Sequence, residues 1–248
     1  FEMYSIVSKV VGAVPKKIKE DVNFNLNIEN LIDQTNDATK VIYIASPNNP
    51  TGTYLSRDQL VKLMNSISKN IIVVIDGAYV EYVQKDDYDK GFSLTDEYEN
   101  IILTRTFSKT YGLAALRVGW CYTSQKIADI INKIKPPFNT TTISQSLAIK
   151  ALEDKEHIEN SVKLNSEIKD WFEKELKLLN IKTRQTEGNF TLIETSEEEA
   201  EKISNHLMND GIIIRRLNSY NLPNFLRISI GTKEEMNLTV ESLKKFNV

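Results

Sequence analysis

Residues 70–78 read NIIVVIDGA: an unbroken run of isoleucine and valine, then Asp76 and a glycine. A strand with one wet face alternates apolar and polar side chains, so a run this continuous predicts a strand covered on both faces, as in a parallel sheet. Working outward, KVIYIAS (40–46), NIILTRTF (100–107) and LRVGWCYT (116–123) have the same character. Between the first two strands, SRDQLVKLMNSISK (56–69) starts at an N-cap, Ser56, and lines up Leu60, Leu63, Met64 and Ile67 along one stripe, which predicts a crossover helix. Strands alternating with helices predict an α/β fold built on a mostly parallel sheet with helices on both faces.

Farther along, SQKIADIINKIK (124–135) reads as a helix stopped by Pro136 and Pro137. Helical patterns over 142–154 and 156–179 then lead to a second unit of strand, helix, strand, strand, helix. Its strands are FTLIET (190–195), GIIIRRL (211–217) and FLRISIG (225–231). Its first helix has Ser196 as N-cap, Glu199 three positions later as the other half of a capping box, and Gly211 as its stop. The expected organisation is a three-layer α/β/α unit over 1–155 and a smaller C-terminal α/β unit over 156–248, with no linker between them. The chain opens FEMYSIVSKVVGAV, without an initiator methionine and already in an amphipathic helical pattern. We therefore expect the sequence to be one part of a longer protein.

Composition is that of an ordinary globule: 248 residues, 41% hydrophobic, 26% charged, net charge −3, with no basic face to attract a phosphodiester backbone. No apolar run has the roughly eighteen residues that a membrane-spanning helix needs. Cys121 has no second cysteine to pair with, and His157 and His206 lie far apart in charged helical patterns, where each reads as a helix-surface side chain. A metal site is not expected, and the default compartment is a reducing cytoplasm. The glycines make no G-x-G-x-x-G and no P-loop, and neither G-x-S-x-G nor H-E-x-x-H occurs.

What remains is a set of polar residues at the carboxyl ends of successive strands, where doubly wound sheets hold ligands. SPNNPTG (46–52) follows the first strand, DGAY (76–79) ends the second and TFSK (106–109) ends the third. Taken singly, Asn-Asn-Pro-Thr-Gly is also a plain turn, Asp76 could cap a helix, and Lys109 could be a surface charge.

In this order, Asn-Pro-Thr-Gly, Asp-x-x-Tyr, and Ser-Lys with Arg117 eight residues beyond the lysine, the chain resembles the fold-type I aminotransferases that use pyridoxal 5'-phosphate. The resemblance extends to FEMY, KPPFN, EGNFTLIET, GIIIRRL and NFLRISIGT, and the spacing is nearest to the histidinol-phosphate subfamily. It implies that Lys109 bonds the cofactor aldehyde and acts as catalytic base, and that Asp76 keeps the ring nitrogen protonated. It implies that Asn49 and Tyr79 bond the phenolic oxygen, that Arg117, Ser108 and Thr106 hold the phosphate, and that Phe1, with Tyr4 nearby, covers the ring. Arg227 and Arg215, with Asn49, match the substrate side, where a phosphate dianion suits two guanidinium forks. A solvated strand end is the plainer reading of Arg215 and Arg216.

The resemblance thus implies transfer of an amino group from histidinol phosphate to 2-oxoglutarate in a homodimer. The same motifs suit an aromatic amino-acid aminotransferase or a decarboxylase of phosphorylated amino acids. A non-enzymatic relic would have no need of the charged set Lys109, Asp76 and Arg117. The chain departs from the family pattern at Gly77, where glutamate is common, and at Ala115, where glycine is. It also lacks a preceding segment that carries part of the phosphate grip.

Overall fold

The computed structural model describes residues 1–246. Helix α1 (Glu2–Val10) leads by an irregular stretch to α2 (Ile28–Asp33) and then to strand β1 (Val41–Ala45). The chain continues through α3 (Arg57–Ser66), β2 (Ile72–Asp76), α4 (Phe92–Glu97), β3 (Ile101–Thr106) and β4 (Gly119–Thr123). These strands form one sheet in the order β1-β2-β3-β4, with β1, β2 and β3 parallel and β4 antiparallel to β3.

The crossover helix forms as expected. Ser56 accepts from the Gln59 amide while the Gln59 side chain accepts from Ser56 N–H, a complete capping box that satisfies two amides at the helix start. Leu60, Leu63, Met64 and Ile67 are buried against Ile42, Ile44, Val73, Ile75, Ile101 and Leu103, so one apolar cluster holds the helix to the sheet. Burial on both faces holds only in the middle of the sheet: Val41 and Tyr43 on β1 and Tyr122 on β4 are exposed. These are the two edge strands, each paired along one side.

Helices α5 (Gln125–Ile134), α6 (Thr142–Glu153) and α7 (Lys155–Leu178) lead to the second sheet. Its strands are β5 (Lys182–Arg184), β6 (Phe190–Glu194), β7 (Arg215–Arg216) and β8 (Phe225–Ser229), all antiparallel in the order β5-β6-β8-β7. Helix α8 (Glu197–Asn209) precedes β7, and α9 (Lys233–Phe246) follows β8. Phe172 and Leu176 of α7 pack with Ile203, Leu207, Leu226, Val240 and Leu243 in a second apolar cluster.

Three expectations change here. Strand β5, with the polar sequence KTR, is additional. The strand expected over 211–217 shrinks to two residues, Ile213 being exposed. At α8, Ser196 accepts from the Glu199 amide, but the Glu199 carboxylate accepts from the Thr195 hydroxyl instead of closing a capping box.

The two sheets meet where the turn after β1 docks on the segment before β6. Gly52, at φ +75°, accepts at its carbonyl from the Glu187 amide (2.7 Å). A Cβ on Gly52 would overlap the backbone and side chain of Thr186, so a residue without one is needed at this contact.

Candidate active site

The parallel strands end at one edge of the first sheet, and the sheet register sets which residues arrive there. Asp76 closes β2 opposite Ala45 of β1 and Thr104 of β3. Its carboxylate is held on both oxygens: the Tyr4 hydroxyl donates to Oδ2 at 2.6 Å and the Ala78 amide to Oδ1 at 3.2 Å. Tyr4 reaches it because its ring lies flat on Tyr43 of β1, with centroids 4.9 Å apart. Phe1 meets Tyr4 edge-on at 5.6 Å and is half exposed. Burial, followed by the charge of Asp76, pushes the Tyr4 hydroxyl well above the usual phenol range, so it stays a donor.

Three residues after Asp76, Tyr79 is buried against Phe190 of β6, the rings 5.4 Å apart and edge-on. The Lys109 amine sits 5.3 Å from the centre of the Tyr79 ring. Burial, and then the cation of Arg227, hold Lys109 below the usual lysine range, so both influences favour the neutral amine. Tyr79 is raised by burial, with Arg227 opposing and Asp76 adding to the shift.

From the second sheet, Arg227 on β8 extends over Phe190 (5.4 Å) and donates through Nη1 to Asn49 Oδ1. Its Nε is buried and has no partner. Arg215 is its cross-strand register partner on β7, which puts two guanidinium groups on one face of the sheet, with Arg215 exposed. Like charges placed opposite each other repel unless an anion lies between them.

The structure therefore brings Asp76, Tyr79, Lys109, Asn49 and Arg227 together with Tyr4 and Phe190. The remaining expected residues stand at the sides. Arg117 adopts a left-handed backbone (φ 51°) after a short 3-10 turn, is exposed, and donates to the Ala114 carbonyl at 2.8 Å. Thr106 Oγ1 accepts from the Ser108 amide at 3.1 Å, which fixes the turn leading into Lys109.

Sequence reasoning missed several partners. It left Tyr4 merely nearby, although its spacing of three from Phe1 places both on one helical face. It did not single out Phe190, which underlies both Tyr79 and Arg227. His157 is exposed on its helix, as the sequence reading expects, and its Nε2 also lies 3.1 Å from the Thr110 carbonyl. Likewise His206 Nε2 lies 2.8 Å from the Ser242 carbonyl. Among the described residues no cluster of His, Cys, Asp and Glu suits a metal ion, and no helix is long and apolar enough to cross a membrane.

The sequence profile described as Aminotransferase class I and II matches residues 1–243. A histidinol-phosphate aminotransferase of Pelagibacter ubique is 41% identical over 251 residues, covering 100% of this chain and 69% of that protein. One of Zymomonas mobilis is 39% identical, covering 95% of this chain and 65% of its own length. The chain thus spans about two thirds of the length of these curated relatives. Among solved structures, the histidinol-phosphate aminotransferase of Sinorhizobium meliloti in complex with pyridoxal-5'-phosphate superposes with a TM-score of 0.90 at 24% identity, over 99% of this chain and 69% of that one. The aspartate aminotransferase of Thermotoga maritima gives 0.84 at 23% identity, over 96% and 64%.

The residues present fit such a cofactor. A depressed lysine amine and a carboxylate whose oxygens keep free lone pairs suit an aldehyde and a protonated pyridine nitrogen, and the Arg227 Nε, buried without an acceptor, suits the anionic end of a substrate. The chain belongs to the class I and II aminotransferase family, whose cofactor is pyridoxal 5'-phosphate.

Proposed function

We propose that the protein transfers the amino group of histidinol phosphate to 2-oxoglutarate, working as a homodimer in the cytoplasm. The observation that carries the chemistry is the Lys109 amine, held toward its neutral form beside Tyr79 at the strand end that also bears Asp76. The choice of donor rests on the histidinol-phosphate aminotransferases to which the chain is 34–41% identical.

When bound, the cofactor supplies an aldehyde carbon and an electron-accepting ring. Lys109 would hold that carbon and, once displaced by the incoming amine, take the proton from the donor's amine-bearing carbon and return it. Asp76, pinned by Tyr4 and Ala78, would face the ring nitrogen, with Phe1 over the ring and Asn49 and Tyr79 at its phenolic oxygen. Arg117 with Ser108 and Thr106 would take the cofactor phosphate. Arg227 and Arg215 would take the anionic end of the substrate, a phosphate in one half-reaction and a carboxylate in the other. In this reading residues 1–155 carry the cofactor and 156–248 close the substrate side. A second copy would cover apolar side chains such as Ile134, Phe138 and Ile143, which are 76%, 99% and 68% exposed.

A half-reaction assay tests the donor. Spectral conversion of the cofactor by histidinol phosphate at a higher kcat/KM than by phenylalanine supports the proposal. A preference for phenylalanine replaces the donor with an aromatic amino acid.

A further inference from the structure

We propose that Thr110 is a positioning residue for Lys109, clamped by Glu81 through its hydroxyl and by His157 through its carbonyl. This rests on the reading of Lys109 as the lysine that bonds the cofactor. Thr110 is 2% exposed. Its hydroxyl donates to Glu81 Oε2 at 3.5 Å. Its carbonyl lies 3.1 Å from His157 Nε2, and since a carbonyl only accepts, that nitrogen must carry the proton in this contact. The same ring nitrogen stands 3.4 Å from Ser161 Oγ, one turn further along α7.

Each arm of the clamp is anchored. The His157 backbone is fixed at the start of α7, where the Asp154 carboxylate accepts from its amide at 3.0 Å. Glu81 lies in a short 3-10 turn (Val80–Tyr82) directly after Tyr79, whose ring faces the Lys109 amine. The turn beyond the lysine is closed by the Gly112 amide on the Lys109 carbonyl (2.9 Å). The lysine main chain is thus gripped from the cofactor sheet through Glu81 and from α7 through His157. Because α7 carries Phe172 and Leu176 into the core of the second sheet, the clamp ties the placement of the amine to that of the substrate arginines.

Arg227 and Tyr79 face Lys109; Glu81 and His157 face Thr110; Arg105, Lys90, Tyr82, Tyr88 and Tyr111 interact with Glu81. Burial dominates at Glu81 and raises its carboxyl, which suits it to a buried contact with a neutral hydroxyl. Burial is likewise the larger influence on Lys109, so a looser turn that admits water restores its proton.

The test is acylation of Lys109 against pH, read by peptide mass mapping, in the protein without added cofactor and in the variants Thr110→Val, Thr110→Ser and His157→Ala. Thr110→Val and His157→Ala are expected to slow acylation of Lys109 at pH 8 about threefold or more, the factor that half a pKa unit represents, while Thr110→Ser keeps the wild-type profile. Wild-type profiles in Thr110→Val and His157→Ala overturn the clamp. His157 lies on an exposed helix face, so its variant gives an answer even if Thr110→Val does not fold. Borohydride reduction with pyridoxal phosphate separates the two claims. A label on another lysine overturns the reading beneath, whereas a label on Lys109 with unchanged acylation profiles overturns the clamp alone.

Discussion

The Tyr4 hydroxyl donates to Asp76 Oδ2 at 2.6 Å, joining the first helix of the chain to the end of its central strand across 72 residues of sequence. A carboxylate that must face a ring nitrogen needs its orientation set by something other than that nitrogen, and Tyr4, stacked on Tyr43, supplies it. Tyr4→Phe keeps the stacking and removes the donor. We expect about a tenfold weaker hold on pyridoxal phosphate, the factor equivalent to ~1.4 kcal/mol, with the fold retained. Titration of cofactor into both proteins measures it, and equal affinities would remove Tyr4 from this role.

Arg227 has two duties that one substitution separates. Arg227→Gln keeps a side-chain donor for Asn49 and deletes the cation that depresses Lys109. The lysine then holds its proton more firmly, so the acid limb of the kcat/KM profile moves to higher pH. Lost anion binding lowers kcat/KM about tenfold or more at any pH. An acid limb that stays in place would mean that the guanidinium does not act on the amine.

Gly77 stands where a Cβ would collide with the guanidinium of Arg105, a buried side chain bonded to the Thr104 carbonyl (2.8 Å) and to the Lys90 carbonyl, and flanked by Phe92 and Trp120. Gly77→Ala must displace that group, and a stability loss of about 1–3 kcal/mol is expected from overpacking. Chemical denaturation reads this directly; an unchanged midpoint would show that Arg105 moves aside freely.

Glu20 accepts from Asn48 Nδ2 at 3.0 Å, in the turn that also holds Asn49. Burial pushes its carboxyl up to about 7, with Asp21 adding to the shift. A carboxyl raised in the folded state stays protonated there while the unfolded chain ionises, so its contribution to stability falls as pH rises from the ordinary glutamate range to about 7. Glu20→Gln removes this dependence. The variant should gain about 1–2 kcal/mol over wild type at pH 8 and nothing at pH 4, by denaturant unfolding at both pH values. An equal difference at both would show that folding does not raise the Glu20 pKa.

The inner strands were legible because Val73, Ile75, Ile101 and Leu103 are buried in the middle of the sheet, which demands uninterrupted apolar sequence. The place of Lys109 was legible too, since strand ends of a parallel sheet converge. Strand β5 was not: KTR has no apolar pattern and is ordered by pairing with β6, where Glu194 meets both Lys182 (3.0 Å) and Arg184 (2.6 Å). The His157 contact was hidden for a similar reason. Its side chain looks solvated within its own helix, and its acceptor lies 47 residues earlier in the chain.

The account turns on a covalent bond between this chain's own lysine and the cofactor, and one measurement addresses it most directly. The protein is incubated with pyridoxal 5'-phosphate, reduced with borohydride, digested and mapped by mass. The account predicts a phosphopyridoxyl group on Lys109, lost in Lys109→Ala. A label distributed over surface lysines, or retained in full by Lys109→Ala, would contradict it.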